Sequence, residues 1–90
     1  MAMLIHEVWV ELDQSGQKLH SCIMAGPRGD RARAYLLADG AKLAWTFKAG
    51  SHFEAMTFYH RRAHDEVYTT DQAWDFEPYP QEWADEQNVD

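Results

Sequence analysis

The sequence predicts a small two-layer α+β domain. A β-hairpin opens a β-β-α-β-α order with an antiparallel sheet, and an extended aromatic and acidic tail closes it. Three observations carry this reading. Two stretches near the N-terminus alternate apolar and polar residues on either side of a turn cluster. Two helix signals, a stop at Asp39-Gly40 and a capping box at Ser51 and Glu54, flank a third alternating stretch. The composition then changes near residue 65, where basic residues end.

In residues 4–12, Leu4, His6, Val8, Val10 and Leu12 share one face, and Ile5, Glu7, Trp9 and Glu11 share the other. Asp13-Gln14-Ser15-Gly16 supplies the turn, and residues 18–25 form the second strand, with Leu19, Ser21 and Ile23 facing opposite to His20, Cys22 and Met24. Gly26-Pro27-Arg28-Gly29 breaks the chain before a helix of about two turns, from Asp30 to Ala38. A segment that short takes its stability from packing. Residues 42–48 form the third strand, with Leu43, Trp45 and Phe47 on one face.

Ser51 and Glu54 have capping-box spacing: the hydroxyl accepts from the Glu54 amide and the carboxylate reaches back to the Ser51 amide. The helix they start runs to about residue 63 and presents His52, Ala55, Met56, Tyr59 and Ala63 as its inner stripe. Glu66-Val67-Tyr68-Thr69-Thr70 is rich in β-formers and suggests a fourth strand. Pro78 and Pro80 favour an extended path, and Pro80 can open a short helix over residues 81–86. The helices are expected against one face of the sheet.

Ninety residues make one domain. Within it, residues 1–70 form an α+β body and residues 71–90 a tail that packs on the body or on a partner. The formal net charge of −7 divides unevenly. Residues 1–64 hold eight bases and six acids, whereas residues 65–90 hold nine acids and no Lys or Arg. The negative total disfavours nucleic acid and anionic membranes as partners. No apolar run reaches the roughly 20 residues that span a bilayer. The N-terminus lacks a basic region followed by a long apolar stretch, so no secretory signal is expected. The single Cys22 allows no internal disulfide, and the cytoplasm is the expected compartment.

Two groups stand out as candidate binding residues. Trp74, Phe76, Tyr79 and Trp83 lie among the acids of the tail, where such rings need a surface to cover them. They either complete this chain's own core or dock into a partner protein or a second copy, with the carboxylates as a polar rim. Arg28, Arg31 and Arg33 cluster beside a helix N-terminus, where guanidinium forks and free amides suit a phosphate or carboxylate, or the acidic tail itself.

Other constellations are weaker. His60 and His64 have i,i+4 metal-ligand spacing, but Arg61 and Arg62 stand between them, and no metal or other cofactor is expected. His20 and Cys22 share a strand face about 6.5–7 Å apart, long for a nucleophile and its base. No motif fixes a chemistry. The sequence favours a small soluble, non-catalytic interaction or regulatory module with a protein partner or itself. The alternatives are a small-molecule-binding domain or small enzyme with a pocket near His52 and Tyr59, and a nucleic-acid binder regulated by its acidic tail.

Overall fold

In a computed structural model, which describes residues 2–88, the strands lie where alternation places them: β1 is Leu4–Leu12, β2 is Lys18–Met24 and β3 is Lys42–Ala49. They form one antiparallel sheet in the order β2-β1-β3, so the N-terminal strand is central. Asp13 closes the hairpin. Its carboxylate accepts from the Ser15 and Gln17 amides at 2.8 and 2.9 Å, and these bonds, together with the Ser15 hydroxyl, hold its pKa below the usual carboxylate value.

Helix α1, Asp30–Ala38, follows a 3-10 turn at Pro27–Gly29. It stops where expected: the Ala41 amide bonds the Leu36 carbonyl, the Gly40 amide bonds the Leu37 carbonyl, and Gly40 takes φ 84°. That is the Schellman arrangement, which needs a left-handed residue. Helix α2, His52–His64, starts from Ser51, whose hydroxyl accepts from the Glu54 amide at 3.1 Å. The return half of the capping box differs from expectation. Glu54 accepts from the Gly50 amide at 2.9 Å, one residue early, while Ser51 forms an isolated bridge with Pro78.

The domain is α+β with helices over the sheet, and the helices divide between its faces. The Leu4, His6 and Val8 side of the sheet carries α2 and the C-terminal segment, with Phe47 against Phe58 and His20 against His64. The opposite side carries α1 near one edge, where Leu36 packs on Trp9, Ala41 and Ile23.

Two further local expectations are corrected. The register jumps between Val8, which pairs with Trp45, and Trp9, which pairs with Leu43. Ala44 is therefore an extra residue, a bulge that turns Leu43 onto the Trp9 side, away from Trp45 and Phe47. Residues 66–70 are not a strand. Tyr68 leaves the β pattern because its hydroxyl donates to Asp75 at 2.8 Å, which holds this segment beside the tail and off the sheet edge.

Beyond them, Ala73–Phe76 forms a 3-10 turn, Glu77 to Pro80 is extended, and Gln81–Gln87 forms helix α3 behind Pro80. Val89 and Asp90, the end of the tail as the sequence delimits it, lie outside the described residues, as does Met1.

Candidate functional site

The tail's four rings separate into two pairs. Tyr79 is buried against Ala2, Leu4 and Ala84, and Trp83 packs beside it at a ring distance of 5.8 Å. Trp74 and Phe76, five and three residues earlier, are 56% and 53% exposed. Tyr79 and Trp83 therefore complete this chain's core, and Trp74 and Phe76 face outward.

Tyr79 anchors through chemistry as well as area. The buried His6 ring stacks on Phe47 at 5.1 Å, and its Nδ1 lies 3.0 Å from the Leu4 carbonyl. A carbonyl only accepts, so the neutral ring carries its proton on Nδ1, and Nε2, 3.1 Å from the Tyr79 hydroxyl, accepts from it. Burial pushes the Tyr79 phenol up to about 12. Burial also lowers the His6 pKa, with a smaller contribution from the nearby His52, against the opposing Leu4 bond.

The sign of the pH effect follows. The unfolded chain takes up a proton at His6 below about pH 6.5, while the folded chain resists it. His6 therefore leaves stability unchanged above that value and lowers it as the pH falls further. Urea unfolding at pH 5.5 is expected to give a lower midpoint than at pH 7.5. The difference is expected to shrink in His6→Gln.

Trp74 and Phe76 owe their position to the residue between them. Asp75 is fully buried, and its two oxygens accept from His52 Nδ1 and from the Tyr68 hydroxyl. Burial alone raises a carboxyl pKa. Here the bonds from His52 and Tyr68, with the His52 charge, outweigh it and hold Asp75 below the usual value. The same bond raises the Tyr68 pKa. Around this pin the rings gather: His52 with Trp74 at 5.2 Å, Phe53 with Phe76 at 4.6 Å and Phe53 with Tyr68 at 5.8 Å.

The result is an aromatic surface around a half-exposed imidazole, set by a buried carboxylate. Asp75→Ala strips both donors of their acceptor and is expected to lower the melting temperature, with Asp75→Asn recovering part of the loss. Thermal unfolding followed by circular dichroism checks it. Nothing local in the sequence marks Asp75 among nine C-terminal acids; its place between two aromatics is the one available signal.

The arginines are brought to different ends. Arg28 pairs with Glu86 at 2.9 Å and lies over the Trp83 ring at 4.1 Å, so it receives the acidic tail. Arg33 bonds Glu7 at 2.9 Å, Asp30 at 2.7 Å and the Met24 carbonyl at 3.1 Å, tying α1 to the sheet. Arg31 is exposed and makes no ion pair among the described residues.

The reactive candidates differ in exposure: Tyr59 is buried, Cys22 and His60 are half-buried and His64 is exposed. Burial pushes the Cys22 thiol up to about 11, which leaves little thiolate at neutral pH for nucleophilic attack. Tyr59 is buried on the inner face of α2, its pKa raised by burial. His60 and His64 sit among Tyr59, Tyr68 and His20. No group of three or more His, Cys, Asp or Glu among the described residues is placed to hold a metal ion. A cleft of about 360 Å³ lies toward the C-terminal end of β1, between Val10, Leu12, Lys18, Asp39 and Lys42, and neither His52 nor Tyr59 lines it.

No helix among the described residues is long and apolar enough to cross a membrane. Comparison with protein-family models, with curated proteins and with solved structures gave no match.

Proposed function

We propose that this chain is a non-catalytic interaction module whose contact surface is the aromatic patch of Trp74 and Phe76, with Phe53, Tyr68 and His52 around it. The observation that carries the reading is that Trp74 and Phe76 are more than half exposed, although the turn that bears them is pinned by a buried carboxylate. Large aromatics held rigidly at a surface lose little conformational freedom on binding, and they are typical anchors of protein interfaces. Three of its residues, Tyr68, Trp74 and Phe76, lie in the segment that holds nine acids and no Lys or Arg. The partner we infer is therefore a protein segment with apolar anchors flanked by Lys or Arg. The cytoplasm, a reducing compartment, suits a chain whose one thiol is unpaired.

The test is peptide selection on the immobilised protein, counter-selected against Trp74→Ala/Phe76→Ala. Enriched peptides are expected to be basic and apolar and to bind the double variant at least tenfold more weakly. Enrichment of no such peptide, or equal binding to both proteins, overturns the proposal.

One observation favours a second reading. A carboxylate that accepts from His52 Nδ1 fixes the tautomer that leaves Nε2 free for a proton, the arrangement of a general base. Under this reading the patch holds a small flat ligand, and a thermal-shift screen of aromatic metabolites finds one whose stabilisation His52→Ala abolishes. A screen in which no ligand shifts the melting temperature counts against it.

A further inference from the structure

The two open edges of the sheet are built differently. The β3 edge carries Lys42, Lys48 and the bulge at Ala44. Charge and bulges are the features by which proteins keep an edge from pairing. Along β2, the run from Leu19 to Ile23 has no Lys, Arg, Asp, Glu or Pro and pairs with β1 without a register shift.

The ladder shows which backbone groups that edge exposes. The Ala25 amide bonds the Ile5 carbonyl, and bonded pairs recur at every second residue of an antiparallel ladder. Leu19, Ser21 and Ile23 therefore turn their amides and carbonyls toward β1, and His20 and Cys22 turn theirs outward. No backbone group among the described residues bonds to that outward row. It ends at Met24, whose carbonyl is held by Arg33 at 3.1 Å.

We propose that the β2 edge pairs antiparallel with the β2 edge of a second copy, about a two-fold axis at Ser21, to give a continuous six-stranded sheet. In this register His20 lies opposite the partner's Cys22 and exchanges both backbone bonds with it. Leu19, which is 45% exposed, lies opposite the partner's Ile23, and Ser21 opposite the partner's Ser21. Lys18 falls opposite the partner's Met24, so no like charges are opposed. The surface is self-complementary, as a two-fold interface requires. The same pairing is poor at β3, where the bulge breaks the alternation and lysines stand near both ends. This inference does not depend on the aromatic patch, and it adds that the dimer presents two copies of it.

Ser21 and the partner's Ser21 would form a non-hydrogen-bonded pair with Cα atoms about 4.5 Å apart, within the range a disulfide spans. Ser21→Cys in a Cys22→Ala background is expected to oxidise mostly to a reducible dimer, whereas Thr46→Cys on the β3 edge in the same background stays monomeric. Light scattering of the unmodified chain at tens of micromolar is expected to give twice its 10.5 kDa mass. Leu19→Lys is expected to return the mass to that of one chain with an unchanged circular dichroism spectrum. Trp74→Ala/Phe76→Ala leaves the mass doubled, which separates this interface from the patch. A single-chain mass for the unmodified protein, or equal cross-linking at positions 21 and 46, overturns the proposal.

Discussion

Tyr79→Ala is expected to cost about 3–5 kcal/mol of folding free energy, the range for removing a large buried aromatic. Tyr79 is only 8% exposed and joins Ala2, Leu4 and Ala84 into one buried cluster. Its hydroxyl is also the donor to His6 Nε2 at 3.1 Å, so the truncation leaves a buried ring nitrogen without a partner. A domain of this size has roughly 0.05–0.15 kcal/mol per residue in hand, so the loss takes a large share of the total. Tyr79→Phe keeps the ring and deletes the donor, and about 1–3 kcal/mol is expected for the unsatisfied nitrogen. Urea unfolding at pH 7.5 measures both. A Tyr79→Ala midpoint close to that of the unmodified chain contradicts the anchoring role.

Gly29→Ala is the second substitution of large effect. A β-carbon at Gly29 meets the Met24 carbonyl oxygen at 1.8 Å and the Arg33 guanidinium at 3.1 Å. The oxygen belongs to backbone at the end of β2, so relief requires the turn at Pro27–Gly29 to lift away. That movement pulls Arg33 from Met24 and Glu7, the bonds that hold α1 on the sheet. Overpacking of this kind costs about 1–3 kcal/mol, with the severed bonds in addition. Each 1 kcal/mol is about 4–8 °C in a domain of 60–100 residues, so a drop in melting temperature of about 10 °C or more is expected. A drop under 3 °C shows that the turn yields more freely than this close approach implies.

The parts of the fold legible in the sequence are those set within a few residues. The hairpin follows from alternation on both sides of Asp13-Gly16, the stop at Asp39-Gly40 from a left-handed glycine, and the start of α2 from the spacing of Ser51 and Glu54. Interactions reaching across the chain were not legible. The bulge at Ala44 is fixed by how β3 meets β1, and alternation through Leu43, Trp45 and Phe47 gives no hint of it. Tyr68 looks like a strand residue until Asp75, seven residues on, takes its hydroxyl.

The candidate site was legible in part for the same reason. The four tail aromatics could be singled out by composition, and Glu86 meets Arg28 as charge complementarity suggests. Their division into anchors and exposed rings was hidden, because all four have acidic residues close by. Contacts with Ala2, Leu4, His6 and Ala84 decide which ring is buried.

The C-terminal segment divides in two: Tyr79 and Trp83 pack into the domain's core, and Trp74 and Phe76 face outward, where the proposed partner would dock. The most direct test is the thermal unfolding of four single alanine variants at these positions. Tyr79→Ala and Trp83→Ala are expected to melt well below the unmodified chain, and Trp74→Ala and Phe76→Ala to lose about 1 kcal/mol or less, as for exposed positions. Four comparable losses would contradict the division and make the whole segment core.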